Sequence, residues 1–220
     1  PVVQLAGKDN LRQQSSIWQA MLMSADIHTS RQIFIHGFIT VDGQKISKSL
    51  GNVIDPYKLV SKYGTDAIRY YLLAKIHPYE DSDFTIKKLE SIYNADLANG
   101  IGNLVARVAK LCETSGLTFG KVNQPKLGKK IQNLLDKYRF DLALKSVWNK
   151  IKKADKLINE KEVWNLKGIE REKILSYLVS KVRQIAYDLK PFLPETAKEI
   201  EKRFKGPKIR SGSPLFPRIR

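Results

Sequence analysis

Between residues 89 and 111 the apolar side chains Leu89, Ile92, Tyr93, Leu97, Ile101, Leu104, Val105, Val108 and Leu111 recur every three to four positions. That spacing gathers them on one face and predicts a long amphipathic helix. The pattern resumes with Ile131, Leu134, Leu135 and Tyr138, and again from Leu142 through Leu144, Val147, Trp148, Ile151, Ala154, Leu157 and Ile158. The phase shifts near Phe140-Asp141, which predicts a break there, and Trp148 falls on the apolar stripe as a core residue. A further helix is predicted over residues 171–189, ended by Lys190-Pro191, and a short one over 194–204. Amphipathic helices joined by short loops make a bundle.

Ahead of residue 89 the pattern differs. Residues 32–41 are rich in β-branched and aromatic side chains and stop at Asp42-Gly43, the signature of one buried strand that ends in a turn. After a polar loop, Asp55 as N-cap, Pro56 at the first helical position and Gly64 beyond the end bound a helix of about 56–63. Thr65 can cap a second one over 66–75.

The 220 residues are 42% apolar, enough to bury a core, so disorder is excluded as the default. There is no run of eighteen apolar residues, and Pro1-Val2-Val3-Gln4 does not open a signal peptide. No membrane association is expected. Cys112 is the only cysteine, which excludes an internal disulfide and a multi-cysteine zinc site in these residues, and a reducing, cytoplasmic setting is expected.

The net charge of +17 is uneven. Residues 1–120 hold 13 Lys and Arg against 11 Asp and Glu, and residues 121–220 hold 26 against 11, a net of +15. Such an excess favours a polyanionic partner through counterion release. A solvated lysine-rich helix surface explains it equally well, so charge alone decides nothing.

The stretch from Asp42 through Gly43-Gln44-Lys45-Ile46-Ser47-Lys48-Ser49-Leu50-Gly51-Asn52 to Asp55-Pro56 carries chemistry. Lys45 and Lys48, three residues apart on a loop with glycines at both ends, can close over a triphosphate, and the hydroxyls of Ser47 and Ser49 add donors. Positioned cations that meet developing negative charge supply much of the rate of phosphate chemistry.

That stretch resembles the K-M-S-K-S signature of class I aminoacyl-tRNA synthetases, with Ile46 in place of Met. The resemblance implies that Lys45 and Lys48 are catalytic. They would bind the phosphates of ATP, which enters with Mg2+ as substrate, and stabilise the departing pyrophosphate. Leucyl, isoleucyl, valyl and cysteinyl enzymes share the signature. The methionyl type is identified by further similarities.

Gly7-Lys8-Asp9 followed by Trp18 resembles the segment whose Gly and Asp contact the ribose, and His36-Gly37-Phe38-Ile39 resembles the strand whose backbone at Ile39 faces adenine. Tyr63-Gly64-Thr65-Asp66 through Leu73, followed by Asp81-Ser82-Asp83-Phe84, resembles the stem-contact segment. Asn94-Ala95-Asp96-Leu97-Ala98-Asn99-Gly100-Ile101-Gly102-Asn103 through Arg107 resembles the first helix of the methionyl anticodon domain.

Asn99, Asn103 and Arg107, four residues apart, share one helix stripe. The resemblance makes them anticodon readers, together with Trp164. Without it, Trp164 is read more readily as a plug in the bundle. The implied fold is mostly α: the C-terminal remnant of a Rossmann-type α/β catalytic domain (1–41), a K-M-S-K-S loop and stem-contact module (42–86), an anticodon-binding helix bundle (87–204) and a tail closing the synthetase core (205–220). The implied partners are methionine, ATP, tRNA with the methionine anticodon, and a missing N-terminal half of the catalytic domain.

Two features depart from the family. Gln13-Gln14 stands where Phe-His is common, leaving Gln14 and Trp18 as candidates for the amino-acid pocket. The other class I signature, His-x-Gly-His, is absent. The chain is therefore expected to bind tRNA without catalysing on its own. Another class I synthetase and a non-catalytic tRNA-binding module are the competing readings.

Overall fold

The computed structural model describes residues 2–47, 49, 51–120 and 125–219. They form two compact units, Pro1–Ile54 with Ile76–Thr85 and Asp55–Lys75 with Ile86–Arg220.

In the first unit, β1 (Val3–Gly7) pairs in parallel with β2 (Gln32–His36), and the crossover carries α1 (Trp18–Ser24). A second sheet holds β3 (Ile39–Val41) between β4 (Gln44–Lys45), antiparallel to it, and β5 (Ser82–Phe84), parallel to it. The single strand predicted over 32–41 is thus two strands in two sheets. The break falls at Gly37, where any Cβ would lie 2.2 Å from the carbonyl of Glu80, and Asp81 takes the Phe38 N–H at 2.7 Å. A side chain at 37 is sterically impossible without moving the backbone at residue 80.

Parallel strands normally have both faces covered. Here Val3 and Leu5 on one face of β1 are 44% and 69% exposed, and Ile17, Trp18, Met21 and Met23 around α1 are exposed as well.

The second unit is helical. α2 (Pro56–Tyr63) starts where predicted, with Asp55 Oδ1 accepting from the Tyr57 and Lys58 N–H groups, and Gly64 at φ +84° turns the chain into α3 (Thr65–Lys75). Buried Asp66 reaches across to accept the Thr196 N–H at 2.6 Å in the first turn of α9 (Pro194–Arg203). It satisfies one of the donors that a helix start leaves unpaired.

From Ile86 to Ser115 the chain is one helix: α4 (Ile86–Ile92), a π-helical stretch Tyr93–Gly102, and α5 (Asn103–Ser115). Leu89, Tyr93, Leu97, Ile101, Val105 and Ala109, each four residues after the last, are all buried. In an α-helix a step of four overshoots a turn by about 40°, so such a row would spiral away from the core. In the π stretch, bonded i to i+5, a step of four falls short of a turn and cancels the drift. Gly102 permits this, since a Cβ there would lie 2.9 Å from the Leu97 carbonyl five residues back.

The bundle is completed by α6 (Lys129–Leu135), α7 (Phe140–Glu160) and α8 (Gly168–Leu189). The predicted break is the turn before α7, where Tyr138 has φ +56°. Trp148 is core, stacked on Tyr70 with ring centroids 4.2 Å apart and donating to the Asp96 carbonyl. The tail returns to the long helix, where the Asn94 side chain bonds both the N–H and the C=O of Ile219 at 2.9 Å.

Cys112 is buried on α5, and burial pushes its thiol up to about 12. The thiolate is the reactive form. A maleimide at pH 7.5 is therefore expected to leave the folded chain unlabelled and to label it fully in guanidinium. Rapid labelling of the folded protein would contradict the packing of α5.

Candidate nucleotide and nucleic-acid sites

Gly7 and His36 are register partners at the carboxyl ends of β1 and β2, the position outside a parallel sheet where α/β proteins bind ligands. Asp9 follows in the 3-10 turn Lys8–Asn10, and a Cβ on Gly7 would sit 2.8 Å from its carboxylate. Glycine at 7 lets the Asp9 carboxylate lie over the strand end. Gln14 and Trp18 lie on the crossover that follows. Gln14 is half-buried, its carbonyl accepting from Gln19 at 2.8 Å, and Trp18 is exposed.

Asp42 and Gly43, at φ +51° and +73°, make the two-residue turn of the β3–β4 hairpin and set Lys45 opposite Thr40. The Lys45 ammonium lies 5.8 Å from the centroid of the Phe38 ring and that of Lys8 lies 4.6 Å from it. Lys8 also pairs with Asp81 at 2.6 Å. The Lys8 ammonium, then the Phe38 N–H, hold the Asp81 carboxyl below the usual carboxylate range.

The Ser82 N–H donates to the Phe38 carbonyl, so β5 bonds the residues flanking Ile39 and leaves the Ile39 amide and carbonyl on the opposite edge. Beyond the hairpin, the Ser47 hydroxyl meets that of Ser49 at 2.7 Å. Lys48 lies outside the described residues. Two ammonium groups, a hydroxyl pair and the backbone amide and carbonyl of Ile39 are groups that can hold a purine and a polyphosphate.

In the second unit Asn99 and Asn103 are exposed, while Arg107 is half-buried and directed. Its guanidinium pairs with Asp155 and donates to Asn159 Oδ1 at 2.7 Å, both on α7. A guanidinium fixed along its edge keeps its flat faces for stacking. Past the end of α7, Val163 is fully buried and Trp164 is 49% exposed. Val163 is the plug. On another flank of α7, a groove of about 580 Å³ against α8 is edged by Lys150, Lys153, Lys156 and Lys181.

Residues 1–109 match the family described as tRNA synthetases class I (M). A methionine--tRNA ligase of Clostridium acetobutylicum is 35% identical over an alignment covering 98% of this chain, and one of Synechocystis is 36% identical over 89% of it. This chain belongs to the methionyl family of class I tRNA synthetases. It spans about two fifths of the length of those relatives, 39% and 40%. A structure of Mycobacterium tuberculosis methionyl-tRNA synthetase in complex with methionyl-adenylate superposes with a TM-score of 0.82 at 25% identity, over 98% of this chain and 50% of that one.

In this methionyl-family chain the first unit holds Gly7, Asp9, Ile39, Lys45 and Ser47, and the second unit holds Asn99, Asn103, Arg107 and Trp164. No individual role for Lys8, Asp81, Asp83 or Asn52 was legible in the sequence. The parallel pairing of β5 with β3 brings Asp81 and Asp83 to the hairpin from about forty residues along the chain. The only local signal was their spacing of two, which puts both on one face of a strand. Among the described residues no three His, Cys, Asp or Glu side chains cluster as metal ligands, and no helix is long and apolar enough to cross a membrane.

Proposed function

We propose that the whole protein ligates methionine to its tRNA through methionyl-adenylate, and that this chain supplies the phosphate-binding hairpin and the anticodon-reading bundle. Gly7, Asp9 and the Ile39 backbone hold the adenosine of ATP, which comes with Mg2+ as substrate. Lys45, Ser47 and Lys48 hold its phosphates, and the two lysines neutralise the charge that grows on pyrophosphate as it leaves. Gln14 and Trp18 border the methionine side. The exposed apolar residues of β1 and α1 support completion of the first unit by further polypeptide. The chain alone is then inactive in ligation and still binds tRNA.

The observation that carries the reading is the exposed row of Asn99 and Asn103 leading to Arg107, whose guanidinium is oriented by α7, with Trp164 exposed beyond the same helix end. Amide groups suit the edges of unstacked loop bases, and an exposed indole suits stacking. Titrations of this chain with a CAU tRNA and an anticodon-swapped tRNA, at two salt concentrations, test it. Trp164→Ala is expected to weaken the matched tRNA by about 1–3 kcal/mol and to spare the swapped one. Salt is expected to weaken both steeply and alike. Equal losses for both tRNAs on Trp164→Ala would end the anticodon-reading role.

A further inference from the structure

The hairpin that carries Lys45 is small: β4 has two residues and two register pairs with β3. A two-stranded hairpin of that size is marginal in water. Two side chains without an assigned role brace it. Asp83 Oδ1, on β5, accepts the Gly43 N–H and the Thr40 hydroxyl, each at 2.7 Å. It thereby ties both the turn and the residue opposite Lys45 to the next strand. On the other side, the half-buried Asn52 spans the start of the loop with both ends of its amide. Its Oδ1 accepts the Ser47 N–H at 2.8 Å and its Nδ2 donates to the Lys45 carbonyl at 3.0 Å.

We infer that Asp83 and Asn52 are positioning residues for the ATP phosphates, fixing the backbone at Lys45 and Ser47 before nucleotide arrives. This rests on the reading of Lys45 and Ser47 as phosphate ligands. The two side chains do different work. Asp83 needs only acceptor capacity, whereas Asn52 must accept and donate at once, which a carboxylate cannot do. Preorganising the cation and the neighbouring N–H removes an ordering cost from the bound state and from the transition state. Neither residue touches the reacting atoms, so their effect reaches the chemistry through Lys45 and Ser47 alone.

The test uses the whole protein and measures methionine-dependent exchange of pyrophosphate into ATP, alongside thermal unfolding. Asp83→Ala and Asn52→Ala are each expected to lower kcat/KM for ATP roughly 10- to 100-fold, with the KM for methionine and the melting temperature unchanged. Asp83→Asn keeps an oxygen for both donors and should recover most of the loss. Asn52→Asp sets a carboxylate against the Lys45 carbonyl and should not. Wild-type kcat/KM for ATP in the alanine variants would overturn the proposal, as would equal losses toward ATP and methionine. An Asp83→Asn variant as poor as Asp83→Ala would also overturn it, because charge and not placement would then matter. If the wild-type protein itself shows no exchange, the phosphate-ligand reading falls and this proposal falls with it.

Discussion

Lys45→Ala in the whole protein is expected to slow methionine-dependent pyrophosphate exchange by about 100-fold or more while leaving methionine binding unchanged. The lysine sits on a hydrogen-bonded strand, its ammonium 5.8 Å from the centroid of the Phe38 ring, so little ordering is left for it to undergo when it meets phosphate. A cation that meets charge formed only in the transition state acts on kcat more than on ground-state affinity. Lys45→Arg keeps the charge but replaces a compact ammonium with a wider fork, and should fall between. Measuring kcat, the KM for ATP and the KM for methionine in parallel separates the roles. A loss confined to methionine affinity would remove Lys45 from the phosphate site.

Ile101→Ala is expected to destabilise the second unit by about 2–5 kcal/mol in denaturant unfolding. Ile101 is fully buried, midway along the row of apolar residues spaced by four, where the π stretch gives way to α5. Neighbours on a long straight row have little freedom to collapse into the space left, which favours the upper part of that range. Asn99→Ala, two positions away on the exposed side, is expected within about 0.5 kcal/mol of wild type. A cost below about 1 kcal/mol at Ile101 would mean that the helix can slide to fill the cavity.

Helices of the bundle were legible because each signal was local: Asp55 and Pro56 opened α2, Gly64 closed it, and the apolar spacing marked α7 and α8. The strand over 32–41 was misread as continuous because nothing near Gly37 in sequence reveals that the backbone of residue 80 passes over it. The π stretch was equally hidden. Its apolar spacing of three and four is that of an ordinary α-helix, and only the buried row together with the Leu97 carbonyl over Gly102 shows the difference.

The chemistry divides in the same way. Lys45, Ser47 and Asn52 stand in one recognisable string, but the bonds that Asn52 makes back across the loop and the long-range strand pairing that brings Asp83 to the hairpin are encoded in no linear pattern. For Trp164, sequence reading left plug and platform open, and the exposed indole beside the buried Val163 favours the platform.

The widened turns between Tyr93 and Gly102 also bear on the outer side of the helix. The step of four from Asn99 to Asn103 closes the π stretch and falls short of a full turn, whereas the step from Asn103 to Arg107 in α5 overshoots one, so the outward row bends back on itself as the inner row does. The absence of a side chain at Gly102 therefore shapes a face of the helix that this residue does not occupy. A Cβ there, pressed against the Leu97 carbonyl, would favour ordinary α bonding and rotate Asn99 relative to Asn103 and Arg107 without altering any of the three. In this helix the aim of the outward amides is set by how many residues make up a turn beneath them.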